Sequence, residues 1–288
     1  MSFSDALNSG KFLVTTDVVP PKGTNVSKML GRIDSLVGKV DAVNVADLPS
    51  SVMRVGPLPI ALLLKERGLE PILQMTCRDR NSLALQADLL GAYIMGVTNI
   101  LALTGDEIDL SDNPGVKPVF DLDSIELLKA ARKLEKGCDL GGNPLRGSPK
   151  FCIGAVIDPG ADSIEPEIER MQRKIEAGAE FFQTQPIFDV KVLVEFLEKT
   201  GEAETPILGG VLLLKSAKMA RSMNEKVPGV RIPEHFIHRM EKTQDPVQTA
   251  IEIASSIINP IKGICRGVHI MTLNWEDKVP MVLKAASF

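Results

Sequence analysis

No two cysteines in this chain stand at the two-residue spacing of a zinc or redox motif. The four, Cys77, Cys138, Cys152 and Cys265, are scattered, which gives neither a zinc site nor an iron–sulfur cluster. They read as reduced, structural thiols; Cys77 alone has an ionic neighbourhood, beside Arg78-Asp79-Arg80. An excess of one charge is missing too. Lysine and arginine number 33 against 37 acidic residues, for a net charge of −4, and this leaves no basic footprint for nucleic acid. Apolar runs such as residues 206–214 fall far short of the roughly 20 residues that cross a bilayer. The first residues carry neither a basic segment nor a long apolar run, so no signal peptide is read and the cytoplasm is the expected compartment. The dinucleotide fingerprint GxGxxG is absent. The 3 histidines form no Ser-His-Asp or Cys-His set and no metal-ligand spacing.

What is present is a rhythm. Candidate strands fall near 12–17, 40–46, 71–76, 99–104, 151–157, 181–186, 206–213 and 267–273, each followed by a helix-compatible segment. Residues 83–93 have apolar positions at helical spacing, 124–134 follow two possible capping aspartates (Asp121 and Asp123), and 164–177 alternate charged and apolar faces before Gly178. A helix over 246–258 takes Asp245 as N-cap and Pro246 at its first position, and stops before Pro260. Eight such βα units over 288 residues predict a single (β/α)8 TIM barrel, one domain spanning 1–288, rather than a doubly wound open sheet. With 44% hydrophobic residues the core is ample. Residues 137–149 read as a loop.

Polar groups cluster where these apolar runs end, the side on which parallel α/β proteins build active sites. Asp17 precedes Pro20-Pro21 and has apolar neighbours, Val18 and Val19; burial would raise its pKa and suit it to general acid work, though a capping or salt-bridged aspartate would look the same. Asp106 follows Leu103-Thr104-Gly105. There glycine admits a flat ligand and the carboxylate can accept paired hydrogen bonds, or the segment is merely a capped turn. Gln185, between Thr184 and Pro186, can donate and accept along a heterocycle edge or satisfy nearby backbone. Arg173 and Lys174 are a solvated helix face or a phosphate contact. His235 and His238 read as peripheral, His269 as a satisfied core histidine.

Taken in order, Asp17-Val18-Val19-Pro20-Pro21-Lys22, Thr76-Cys77-Arg78-Asp79-Arg80-Asn81, Leu103-Thr104-Gly105-Asp106, Val119-Phe120-Asp121-Leu122, the stretch from Arg173-Lys174 to Ala179, Thr184-Gln185 and Thr272-Leu273-Asn274 resemble the methylenetetrahydrofolate reductase family. Singly these motifs are weak; as an ordered set over almost the whole chain they are specific. The resemblance implies a flavoprotein barrel that reduces 5,10-methylenetetrahydrofolate to 5-methyltetrahydrofolate, with FAD (or FMN) as cofactor and NAD(P)H as donor. It implies Asp17 as proton donor, Asp106 as a pterin contact that tunes the flavin, and Gln185 and Asn274 as further folate contacts. Asn44, Gln74, Thr104, Gly105, Asp106, Asp121, Asp158, Glu167, Arg173 and Lys174 fall where relatives line the flavin.

The chain also departs from the family pattern. Asp17 stands where the family usually has glutamate, Gln74 where many relatives have histidine, and Thr104 where many have arginine; an aromatic contact near strand five gives way to Gly154-Ala155-Val156-Ile157-Asp158. Compact relatives include subunits fed by an iron–sulfur partner, so the resemblance allows a homo-oligomer or a hetero-complex with such an electron-transfer subunit. Two other readings are a pterin-binding methyltransferase barrel without flavin and a non-catalytic barrel subunit of an electron-transfer complex.

Overall fold

The computed structural model describes residues 2–106, 111–201, 205–227 and 229–288. Its strands are β1 (Leu13–Val18), β2 (Ala42–Val45), β3 (Pro71–Thr76), β4 (Asn99–Leu103), β5 (Cys152–Ile157), β6 (Phe181–Pro186), β7 (Ile207–Leu212) and β8 (Gly267–Met271). They are mostly apolar, and nearly all of their residues are buried. Each pairs in parallel with the next, and β1 pairs with β8, so the sheet closes into a barrel in chain order. The helices are α1 (Phe3–Asn8), α2 (Ser27–Ile33), α3 (Pro57–Glu66), α4 (Ser82–Ile94), α5 (Ser124–Glu135), α6 (Ile164–Glu176), α7 (Val190–Thr200), α8 (Ala217–Lys226), α9 (Glu234–Lys242), α10 (Pro246–Ile261) and α11 (Val279–Ala285). This is the expected TIM barrel, and among the described residues no helix is long and apolar enough to cross a membrane.

Alternate strand residues point into the barrel, so its interior fills in layers. At the floor Leu13, Ala42, Ile72, Leu101, Phe181 and Leu208 pack with Phe3, Ala6 and Leu7 of α1. The rings of Phe3 and Phe181 meet edge-on at 5.2 Å. Phe181 also explains Gly154, where an added Cβ would lie 2.5 Å from the Phe181 ring: strand five gives up a side chain so that an aromatic from strand six can cross the floor. Above this, the interior turns polar. Asn44 Nδ2 donates to Gln183 Oε1 at 2.6 Å and Gln183 Nε2 donates back to Asn44 Oδ1 at 3.1 Å, while Thr15 Oγ1 and His269 Nδ1 lie 3.0 Å apart. Burial pushes the His269 pKa down to about 3, so the ring is neutral near pH 7, the satisfied core histidine expected from its strand position.

Local signals hold with one correction. Asp123, not Asp121, caps α5, in a capping box with Glu126, and Asp245 caps α10. Helix α10 does not stop before Pro260 but runs through it to Ile261. The proline lies in the last turn, where only one helical bond is lost, and the Lys262 N–H still reaches Ile258 O at 3.2 Å. His235 and His238 are exposed on α9, and Cys77 and Cys152 are buried free thiols.

Candidate active site

A cavity of about 500 Å³ opens at the C-terminal ends of β3 to β6, and most of the candidate residues converge on it. Gln74 reaches it from β3. Thr104, Gly105 and Asp106 follow β4, Asp158 follows β5, Glu167 and Lys174 face it from α6, and Gln185 closes it from β6.

Each is placed by a local device. Gly105 has φ +104°, and a Cβ there would meet Arg78 Cβ at 2.8 Å, so this bend over the buried arginine requires glycine. Thr104 Oγ1 accepts from the Ser124 N–H at 3.2 Å and thereby pins the first turn of α5 to the cavity wall. Asp106 Oδ2 accepts from the Ser50 N–H at 2.8 Å, which ties the β4 loop to the β2 loop. That second loop is strained, with left-handed backbone at Leu48, Ser50 and Ser51. The register between β6 and β7 shifts between Gln183 and Pro186, and Thr184 Oγ1 bridges the irregularity by accepting from the Gly210 N–H at 2.8 Å and donating to Gln185 O at 2.7 Å.

Charge at the cavity floor is tuned by burial. Asp47 accepts from Thr76 N and Oγ1 at 2.8 and 3.0 Å and from Arg80; burial pushes its pKa up against the pull of Arg80. Asp158 is likewise pushed up by burial, and its N–H donates to Glu167 Oε1 at 3.0 Å. Lys174 is buried, donates to Val156 O at 2.6 Å, and has its pKa pulled down by loss of solvent.

Asp17 and Asn274 occupy the other side of the barrel mouth, at the ends of β1 and β8. Asp17 Oδ1 accepts both from the Thr272 N–H at 2.8 Å and from the Thr272 hydroxyl at 3.0 Å. Its pKa is raised to about 6, chiefly by burial, opposed by the Thr272 bonds and reinforced by the negative charge of Glu276. Asn274 has φ +72° and accepts from Arg32 Nη2 at 3.3 Å.

Three sequence candidates lie elsewhere. Asn44 sits one layer below the mouth, with its amide paired to Gln183. Asp121 is exposed outside the cavity and holds the Ser82 N–H at 3.1 Å. Arg173 is exposed and turned away, and Arg170 lines the cavity in its place. Helical periodicity is the reason, because residues 170 and 174 share one face of α6 whereas residue 173 lies about 100° around from 174. Asp47, Thr76, Ser124 and Arg170 also line the cavity and were assigned no role from sequence; Asp47 and Thr76 follow or end the β2 and β3 runs and carry the same signal as Asp17, whereas Ser124 and Arg170 lie on helices. Among the described residues no His/Cys/Asp/Glu group is arranged to hold a metal ion.

The family model for methylenetetrahydrofolate reductase matches residues 2–287. Methylenetetrahydrofolate reductase 1 of Schizosaccharomyces pombe is 25% identical over 95% of this chain and 46% of its own length. The 5,10-methylenetetrahydrofolate reductase of Escherichia coli K12 is 26% identical over 94% of this chain and 91% of its own. The chain thus spans about half the length of the yeast relatives it matches. A solved structure of an uncharacterised Clostridium thermocellum protein that binds two copies of 5-methyl-5,6,7,8-tetrahydrofolic acid superposes with TM-score 0.70 over 98% of both chains, at 16% identity, and so shares the fold.

Proposed function

The chain belongs to the methylenetetrahydrofolate reductase family, and we propose that it reduces 5,10-methylenetetrahydrofolate to 5-methyltetrahydrofolate at the mouth of its barrel. Asp17 carries this reading. An acid with its pKa near 6, facing the mouth, matches the need for a proton at the folate nitrogen as the methylene bridge opens to an iminium. Because both Thr272 bonds go to Oδ1, the proton resides on Oδ2, the oxygen free to deliver it. Aspartate is shorter than the family glutamate by ~1.5 Å, so the pterin sits closer to β1 or is reached through one water. Asp106 and Gln185 hold the pterin edge from the far side, and Asn274 limits it at β8. The Clostridium fold neighbour binds 5-methyl-5,6,7,8-tetrahydrofolic acid, which supports a reduced folate as the ligand.

The cavity residues fit a flavin. Gly105 allows a flat ring to approach the backbone, Gln74 and Thr104 offer edge partners, Asp158 and Glu167 offer acceptors, and Lys174 with Arg170 supplies cations for phosphate. Bound there, reduced FAD (or FMN) would supply the hydride. Replacing Lys174 with methionine removes a buried charge-assisted donor at nearly constant volume, so flavin affinity falls by roughly 10–100-fold; flavin fluorescence titration reads it, and unchanged affinity would move the phosphate site elsewhere. A protein that cannot be reconstituted with either flavin, yet binds folate, would favour the methyltransferase reading.

The electron donor is NAD(P)H bound directly at the same mouth, without a Rossmann domain. Anaerobic stopped-flow mixing of the flavin-loaded protein with NADH and NADPH is the test. Reduction by either supports direct donation. No reduction by both at saturation, with turnover restored by an iron–sulfur protein, would make this chain the folate-reducing subunit of a complex.

A further inference from the structure

Beside Asp17 the chain makes a sharp return. Thr272 gives both its donors to Asp17. Leu273 and Asn274 then take left-handed backbone at φ +51° and +72°, and the next turn, Glu276–Lys278, packs back against β1 and α2. This brings Glu276 into the protein completely, with no exposed surface. One of its carboxylate oxygens, Oε2, accepts from Arg32 Nε. The other, Oε1, is buried with no hydrogen-bond partner. Arg32 is fixed in turn by Asn274 Oδ1.

A purely structural ion pair joining α2 to the C-terminal turn would account for Oε2 but not for the orphaned oxygen. A buried carboxylate is costly, more so with an oxygen unsatisfied, and the part of its field that Arg32 does not offset reaches nearby groups with little screening by solvent. The titratable group with which it shares this end of the barrel is Asp17. The other charges at this corner are Lys215, Arg32 and Asp277. Lys215 donates to Leu273 O and lies 4.8 Å over the Trp275 ring; Asp277 is paired with Lys278 at 2.7 Å. His269, one layer below, is uncharged. Arg32 is committed to Glu276 and Asn274; Lys215, whose pKa burial pulls down against the attraction of Glu276 and Asp17, is held by Leu273 O and opposes Glu276 at Asp17 without making an ion pair there.

We propose that Glu276 is a positioning residue for Asp17: its buried negative charge, anchored by Arg32, keeps the proton on Asp17 ready for transfer to the folate. This rests on Asp17 acting as the acid in folate reduction. No proton passes through Glu276; its contribution is the field at Asp17.

The test is the titration of Asp17 itself, followed by ¹³C NMR of the side-chain carboxyl with the resonance assigned by its loss in Asp17→Asn. In Glu276→Gln the Asp17 midpoint should fall by about one pH unit, and the high-pH limit of folate reduction should move down with it. At pH 7 that lowers turnover by up to about tenfold. Glu276→Asp keeps the charge and should leave the midpoint close to the starting protein. An Asp17 midpoint unmoved in Glu276→Gln overturns the proposal and leaves Glu276 as an ion pair, which would lower stability and turnover equally at every pH. Should Glu276→Gln fail to fold, Arg32→Gln decides: with the countercharge gone and Glu276 retained, the Asp17 midpoint should rise, and an unmoved midpoint refutes the proposal. Failure of the folate reading looks different, because Asp17 would titrate as stated while Asp17→Asn kept its turnover.

Discussion

Asp17→Asn should slow folate reduction by roughly 10²–10⁴-fold and, in the same protein, raise stability at neutral pH. The two effects share one cause. Folding lifts the Asp17 pKa from an ordinary 3.8 to about 6, so the folded chain holds this proton more tightly than the unfolded chain. The stability that goes with the protonated carboxyl is complete below pH 3.8 and is lost as pH rises to about 6. By pH 7 the ionised, buried group costs at most about 3 kcal/mol. Asparagine cannot ionise, and its amide oxygen can still accept from the Thr272 N–H and hydroxyl. Its –NH₂ takes the place of Oδ2, so a net gain of roughly 1–2 kcal/mol remains after that group is desolvated. Urea unfolding at pH 7 and pH 4 checks this: the variant should lead at pH 7 and lose most of its lead at pH 4. Flavin binding and reduction by the donor should be unchanged. Near-normal folate turnover would remove Asp17 from the mechanism, and lower stability at pH 7 would show that the carboxylate is well satisfied when charged.

The barrel was legible because strands buried on both faces leave uninterrupted apolar runs, and because the polar residue ending each run marks the mouth. Asp17, Gln74, Asp106, Asp158 and Gln185 could all be found that way. What a linear pattern does not carry is the partner across the barrel. Asn44 ends up bound to Gln183, 139 positions away, and nothing near either residue announces it. Nor does an Arg-Lys pair reveal which member faces inward: Lys174 is buried while Arg173 is exposed, and its place on the cavity goes to Arg170, four positions before Lys174. Glu276 and Arg78 were hidden for a related reason. Charged residues in loops normally signal solvent, and both are completely buried because the barrel mouth is built from loops that pack on one another.

Arg78 shows how far that packing reaches, and its replacement carries the largest expected loss of stability. Its side chain is fully buried. Nε and Nη2 donate to the two oxygens of Asp79 at 2.9 and 2.7 Å, Nη2 also donates to Leu48 O at 2.9 Å, and Nη1 reaches Asp106 O at 3.4 Å. One guanidinium therefore ties together the loops after β2, β3 and β4, with Gly105 bent across its Cβ. Arg78→Met keeps most of the volume but removes a donor from two carbonyls and the charge partner of a partly buried carboxylate, leaving Leu48 O the Ser51 N–H and Asp79 the Thr76 hydroxyl. Breaking a buried pair in this way typically costs 3–5 kcal/mol; the partial exposure of Asp79 places this case at about 3. The strained Leu48–Ser51 backbone then loses its anchor, so Ser50 no longer fixes Asp106 and folate affinity falls with stability. Arg78→Lys restores the charge without the planar fork and should recover less than half of the loss. Chemical denaturation of both variants, with folate binding measured on the folded protein, provides the check. A loss below about 1 kcal/mol for Arg78→Met would mean that the three loops are held by their own backbone contacts, and that the placement of Asp106 is independent of the arginine beneath it.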